Sequence, residues 1–555
     1  FKQKTAYEIG VRLVGSEMCI RDRFSPLDST DPRDLWSWMD KQRSAGNELL
    51  AISHNANLSN GLMFPTEVDH TGRPIDRAWA ESRMRNEPLT EMKQVKGQSE
   101  TTPGLSPNDE FANYEVFVWH LLGRPGPPPR EYGSYVRQAY KDGITMEQAR
   151  GFNPYKTGVV SGSDSHVSVV PYRQKNFFGV HGTVDDTIEK RINGATVLGL
   201  NSLWVTPAGL SAVWAEENTR EAIFDSMKRK ETYSTSGVRI PVRFFGGWGL
   251  DAGLFKHKEW VKAAYATGVP MGADLLKPAS KAPSFVVWAT KDPDSANLDR
   301  MQIVKGWSIN GQSFEKIYDV AWAGARKPDP VTGKVPPVGS TVDLTKGTYT
   351  NSIGAVELKT VWTDPDFDPA LDAFYYVRVL EIPTPRWSTM QALKLGRVPP
   401  SGTGFSAIIQ ERAWSSPIWY TPSAQARKAA KPGVTIADLG KRGATALTDQ
   451  QLKELIVGKT VKVHNTVTGQ NFEILHGTTG RRLITAIDGK AADLRGAGEM
   501  MHGGDLDYAI RDGRLRTDIN GTEFNVVVYK LGDKYLAARS NEFGYANYEV
   551  EPLKE

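Results

Sequence analysis

Between residues 24 and 235, short apolar runs alternate with amphipathic segments, and each apolar run ends in a polar cluster. The stretch from Phe24 to Gly46 predicts a helix: Asp31 can cap, Pro32 suits the first helical position, and Leu35, Trp36 and Met39 make one apolar stripe. The run Leu49 to Ile52 predicts a buried strand that ends at Ser53-His54-Asn55. LTEMKQVKGQSE (89–100) predicts a second, ending near Lys96 to Glu100. A Pro/Gly-rich loop then leads to a helix from Ser134, and Val159 and Val160 form a third strand that runs into Gly162-Ser163-Asp164-Ser165-His166. A helix over EENTREAIFDSMKRKETY, with Asn218 as cap, Glu221 in a capping box and Ile223, Phe224 and Met227 inward, closes the region. Alternation of this kind is the signature of a parallel α/β architecture. In an α/β barrel, the polar ends of such strands are where active-site loops sit.

After about residue 236 the texture changes to short aromatic and β-branched runs separated by Gly, Pro and Asp, such as VRFFGGW, SFVVWATKD and AFYYVRVLEI. These predict an antiparallel, sandwich-like β domain over 236–422. Residues 423–446 read as a linker, and 447–555 as a small β-rich domain opening on a short helix capped by Thr448. Hydrophobic residues at 39% and charged residues at 24% exclude a disordered, collagen-like or multi-span membrane chain. With 68 basic and 64 acidic side chains, the near-zero charge gives no reason to expect nucleic acid as a partner, and no membrane span is expected.

Residues 1–23 resemble something other than natural protein. KQKTAYEI (2–9) matches the translation of a sequencing flow-cell primer, and LVGSEMCIRD (13–22) that of the transposase adaptor following it. The segment is therefore expected to be an adaptor-derived artefact, excluded from fold reasoning, with the true N-terminus missing. The single cysteine, Cys19, lies inside it, so neither a disulfide framework nor a thiolate metal site is expected.

Asp164 and His166, two apart after a strand, can point into one mouth, and His54 ends another strand. Carboxylate plus imidazole suits Zn, Mn or Fe, and three ligands from two strand ends suit a catalytic rather than a closed structural centre. The same short motif is also compatible with a turn bearing a surface histidine. Glu100, Asp109 and Glu110 read as loop caps or salt-bridge partners before they read as ligands. Arg83, Arg85, Lys93 and Lys96 are all candidates for stabilising negative charge, and nothing in the sequence picks one out. His70, His120, His181 and His257 have no ligand partner at metal spacing and are assigned to surface or loops. His464, His476 and His502 would meet only if the C-terminal hairpins brought them together.

From Ser29 to Pro422 the chain resembles an uncharacterised family, a domain of unknown function, within the PHP (polymerase and histidinol phosphatase) superfamily of metal-dependent hydrolases. The phrases that carry the resemblance include AISHNANLSNGLMFP, QVKGQSETTPGLSPNDEF, SGSDSH, VWAEENTREAIFDSMKRKETYSTSGVRI and VWTDPDFDPALDAFYYVRVLEIPTPRW. The resemblance implies a distorted β/α barrel, here partial and N-terminally truncated, over 24–235, followed by antiparallel β domains. It implies His54, Asp164 and His166 as metal ligands, with Asp164 and His166 also catalytic, and two or three divalent ions in the intact parent. It implies hydrolysis of a small-molecule ester, by default a phosphoester, by metal-activated water. The superfamily's H-x-H, D-H and intervening Glu belong upstream of Phe24, where the sequence is adaptor-like, and Thr102 stands where relatives carry His after Ser-Glu-Thr. The chain itself is accordingly expected to be inactive. The alternative reading is a non-catalytic ligand- or surface-binding protein with a vestigial barrel. A chain with no cysteine beyond residue 23 and several β domains suits a bacterial periplasmic or secreted location. Resequencing the genomic locus across Arg23–Phe24 is expected to replace the adaptor-like segment with a frame encoding H-x-H and D-H; native coding sequence running unchanged through KQKTAYEI would refute the artefact.

Overall fold

The first helix forms where a cap and a proline meet. α1 (Pro32–Ser44) starts on Asp31, whose carboxylate accepts from the Arg33 N–H, and it buries Trp36 and Met39. The computed structural model describes residues 24–553 apart from 119–129, 168, 195, 198–199, 276–280, 403–404, 430–431, 489–505 and 520–521. The adaptor-like segment with Cys19, together with His120 and His502, lies outside the described residues.

Next come β1 (Ile52–Ser53), α2 (Arg77–Asn86), β2 (Leu89–Gln94), β3 (Gly97–Gln98), α3 (Val136–Arg150) and β4 (Gly158–Ser161). β2 pairs in parallel with β1 on one side and β4 on the other, α2 and α3 carry the two crossovers, and β3 folds back antiparallel on the end of β2. Among the described residues these three parallel strands form an open sheet. The strand expected over Leu49 to Ile52 is shorter and further along, and Ile52 is exposed. β1 is the edge of its sheet, so its outer side has no neighbour to bury it.

β5 (Leu210–Val213), α4 (Arg220–Lys228) and β6 (Thr232–Thr235) follow. The cap of α4 is Thr219, not Asn218: the Thr219 hydroxyl accepts from the Ala222 N–H. The antiparallel part contains β7 (Val242–Gly247), β8 (Ser284–Thr290), β9 (Leu298–Ile309), β10 (Gln312–Trp322), β11 (Glu357–Thr363), β12 (Ala373–Glu381) and β13 (Arg412–Ser415). One sheet runs β10-β9-β12-β13-β6-β5; β7, β8 and β11 form another, with Val269–Pro270 on the edge. β12 is buried along its whole length because both faces are covered. Phe374 and Tyr376 point to a core shared with Tyr140 of α3, whereas Tyr375, Val377 and Val379 point to a core shared with Phe244 and Phe285 of the second sheet. Period-two alternation thus assigns each side chain of one apolar run to one of two cores.

Between α3 and β12 lies a buried ionic network. Glu100 accepts from Arg137 at 2.5 Å, from the Tyr376 hydroxyl at 2.7 Å and from the Trp414 indole at 2.7 Å. Asp109 takes both Nη atoms of Arg378 at 2.8 and 2.7 Å, and Arg137 lies 2.9 Å from it. Glu315 of β10 binds Arg137 and Lys141 of α3. Burial alone would raise both carboxyls, but Arg378 and Arg137 hold Glu100 and Asp109 well below the usual carboxylate range.

The C-terminal region is a closed antiparallel barrel. After α5 (Ile436–Lys441) and α6 (Asp449–Ile456) come β14 (Lys459–Asn465), β15 (Asn471–His476), β16 (Arg481–Asp488), β17 (Leu506–Arg511), β18 (Arg514–Ile519), β19 (Thr522–Leu531), β20 (Lys534–Arg539) and β21 (Tyr548–Pro552). Each strand pairs with the next, and β21 returns to β14, so no edge among these eight remains open. α6 begins with a capping box of Thr448 and Gln451 and buries Leu452, Leu455 and Ile456 in the barrel's core. Leu439 of α5 packs against Leu536 and Ala538. The barrel docks on the β9–β10 turn: Gln312 reaches Glu542 and Tyr548, and the Asn547 amide donates to the Asn310 carbonyl. Gly311 has φ +82° there, and a Cβ would meet the Glu542 carbonyl at 2.2 Å.

Replacing Arg378 by Met leaves two buried carboxylates short of a partner. Urea unfolding of R378M is expected to show a loss of about 3–5 kcal/mol, whereas H54A, on an exposed side chain, is expected to change stability by less than about 0.5 kcal/mol.

Candidate functional site

The C-terminal ends of β1, β2 and β4 converge, because all three strands run the same way. Ser53 is in register with Thr90, so His54 falls beside Glu91, and His54 Nδ1 lies 2.8 Å from Glu91 Oε2. Asn55 turns the chain away in the left-handed region, at φ +61°, and its side-chain oxygen accepts from Gln94 at 2.7 Å. Asp164, three residues beyond β4, is also left-handed, at φ +48°. Gly162 lets Glu91 approach: a Cβ there would meet Glu91 Oε1 at 2.7 Å.

Asp164 is the hub. Its Oδ2 lies 3.6 Å from His54 Nε2, and its Oδ1 lies 3.3 Å from His166 Nε2. Lys96, in the turn between β2 and β3, places its ammonium directly on Oδ2. The three residues expected from the sequence, His54, Asp164 and His166, are therefore brought together. Two residues join them. Glu91 was not singled out by the sequence, since its role depends on the β1–β2 register. His181, assigned above to surface or loop, packs its ring 4.5 Å from that of His166 at a 45° tilt, and the His166 backbone N–H donates to the Val180 carbonyl. No spacing ties His181 to the Asp164-x-His166 motif; only the return of the 172–181 loop does.

The hub is shielded and its imidazoles are wet. The Lys96 side chain is only 12% exposed, whereas those of His54 and His166 are 47% and 55% exposed. Burial lowers Lys96 to about 8, against the opposing pull of Glu91. Burial, then the neighbouring His166, lowers His181. The first effect weakens the positive charge facing Asp164 as pH rises through about 8.

The family described as "Protein of unknown function (DUF3604)" matches residues 16–422. The chain belongs to this family. The DUF3604 region takes in the open parallel sheet, both antiparallel sheets and the whole Asp164 constellation, and it stops short of the barrel. No curated protein matches the chain.

Within the DUF3604 region, the other sequence candidates resolve individually. Arg83 is buried, donating to the Met63 carbonyl and pairing with Glu87; Arg85 pairs with Asp40 on the surface. Lys93 is buried and donates to the carbonyls of Gln94 and Pro207. Lys96 alone of the four touches the constellation. Glu100 and Asp109 belong to the buried ionic network, and Glu110 pairs with Arg300 and Lys334. Thr102 is buried, and its hydroxyl accepts from the Leu105 N–H. In the barrel, His464 and His476 stand at opposite ends of the β14–β15 pair and do not meet.

The donor types at Asp164 suit a divalent metal, and the two nitrogen–oxygen separations are those found between ligands of one ion. The arrangement does not yet form a ligand set. The two imidazoles address opposite oxygens of one carboxylate, Lys96 already neutralises it, and among the described residues no three His, Cys, Asp or Glu side chains converge to hold an ion.

Burial pushes Lys93 down to about 8 from 10.5, more strongly than Glu115 and Glu411 pull it up. A lysine depressed in the folded state costs stability while it is forced to be charged, and the cost fades as pH rises from about 8 towards 10.5. Comparing urea unfolding of the parent chain and K93M at pH 7.5 and pH 10 should therefore show the parent gaining up to about 3 kcal/mol relative to the variant.

Proposed function

We propose that DUF3604 proteins are metal-dependent hydrolases of the PHP type, acting on small-molecule esters and by default phosphoesters, with the reaction centre at the C-terminal ends of β1, β2 and β4. On this reading, the open parallel sheet is part of a distorted β/α barrel. The single observation that carries the proposal is the meeting of His54 and His166 on the two oxygens of Asp164, from strand ends over a hundred residues apart. Their position at the mouth of parallel strands is where α/β folds bind ligands. The Glu91–His54 contact adds support, since a carboxylate on one ring nitrogen is what commonly orients a metal-binding histidine. With its proton on Nδ1 towards Glu91, His54 turns the Nε2 lone pair towards Asp164. The superfamily placement itself is a resemblance.

In the chain as described, its own residues hold the centre closed. Lys96 neutralises Asp164, and a cation could bind there only by displacing that ammonium and recruiting donors beyond the described three. The same ion pair favours a second reading, in which the centre is vestigial and the protein binds a ligand or surface without turnover.

Titration calorimetry with Zn²⁺ and Mn²⁺, together with hydrolysis of p-nitrophenyl phosphate, separates these readings. The parent chain is expected to bind metal weakly and to show no turnover. K96A is expected to gain roughly tenfold in Zn²⁺ affinity, and D164A on that background to lose the gain. Hydrolysis by metal-loaded K96A supports the hydrolase; a gain in metal without hydrolysis supports the vestigial centre; and no gain in affinity removes Asp164 as a contested metal ligand.

A further inference from the structure

The C-terminal barrel, outside the family match, holds a partly open cavity of about 120 Å³. Its wall is mostly apolar, with Ile474, Leu515, Phe524 and Val528 among the lining side chains. A mostly apolar core has no structural need for polar groups, yet five polar side chains line it: His476, Arg482, Thr517, Arg539 and Tyr548. His476 ends β15 and lies directly opposite Arg482 in the β15–β16 register, so the two side chains emerge on the same face. Thr517 of β18 lines the same space. His476 is 2% exposed, and neither of its ring nitrogens has a partner at hydrogen-bond geometry; the Thr517 hydroxyl is buried without one as well. Tyr508 packs edge-on against the imidazole at 5.2 Å but donates its hydroxyl to the Gly477 carbonyl, so it does not satisfy the ring. Buried polar groups are nearly always paired, and an imidazole left in this way is destabilising. That cost is removed if a ligand supplies the partner.

We propose that the barrel binds a small monocarboxylate with an apolar tail, its carboxylate held by Arg482, the His476 N–H and the Thr517 hydroxyl. The guanidinium selects a carboxylate over a neutral head group, because a planar fork of donors matches two carboxylate oxygens. Burial and the Arg482 charge outweigh the Ile474 carbonyl and lower His476 to about 4, so the imidazole is neutral at pH 7 and keeps one N–H to donate. Volume sets the size: an apolar cavity of about 150 Å³ takes a benzene-sized guest, so this smaller one takes a ligand of roughly five to six heavy atoms. Butanoate falls at the upper end of that range.

The experiment is titration calorimetry of the whole chain with butanoate and with 1-butanol, which shares the tail and lacks the charge. Butanoate is expected to bind at one site, at least tenfold more tightly than 1-butanol. H476L and R482Q are each expected to weaken butanoate at least tenfold, while R482Q changes 1-butanol less than twofold. V528F, which fills the cavity, is expected to abolish both, and D164A to change neither, which separates this site from the strand-end centre. Circular dichroism and cooperative melting check that each variant folds. If H476L does not fold, the ¹⁵N shifts of histidine-labelled parent protein replace it: butanoate must move the His476 ring nitrogens. No binding of butanoate at millimolar concentration, equal binding of 1-butanol, or a butanoate affinity unmoved by R482Q overturns the proposal.

Discussion

The pairing of Arg137 and Arg378 with Glu100 and Asp109 joins the α/β part of the molecule to its antiparallel part. Arg137 rides on α3, Arg378 on β12, and the carboxylates come from the loop that follows β3, so four charges from three separate elements meet where water cannot reach them. Charges buried in this way are tolerated only when geometry and hydrogen bonding are nearly complete. The Tyr376 hydroxyl and the Trp414 indole complete them on Glu100. The loop after β3 is thereby fixed, and with it the end of β2 from which Lys96 reaches Asp164.

The strand-end centre depends on this frame in a second way. Parallel pairing sets His54 against Glu91 and carries β4 alongside β2, so that Asp164 emerges at the same end. Left-handed backbone at Asn55 and Asp164 then redirects both loops. What results is a shielded carboxylate–ammonium pair ringed by exposed imidazoles. Charge is already balanced at Asp164, and this balance, more than any absent donor type, distinguishes the arrangement from a metal centre.

Much of the layout was legible in the sequence because it rests on local rules. Asp31 with Pro32 and Thr448 with Gln451 cap their helices as the residues themselves dictate. The runs VRFFGGW and AFYYVRVLEI became strands through aromatic and β-branched composition. Errors arose where neighbours decide. Leu49 to Ile52 looked like a buried strand, but β1 sits at a sheet edge and leaves Ile52 in solvent. Asn218 and Thr219 are both good caps, and the backbone geometry at α4 selected Thr219. Glu91 carried no motif, and His181 had no partner in sequence, because each gains its role from a contact across strands or loops.

By itself, the sequence determined the alternation of strand and helix and the change to antiparallel β structure, since periodicity and composition are written in neighbouring residues, and it offered His54, Asp164 and His166 as polar residues at strand ends. Only the tertiary structure decided that Lys96, of four candidate cations, neutralises Asp164, that Glu100 and Asp109 are bound by arginines, and that eight hairpin strands close into a barrel around His476. The physical reason is the same in each case. Electrostatic pairing and burial act through space over a few ångströms, and the partners lie tens to hundreds of residues apart along the chain.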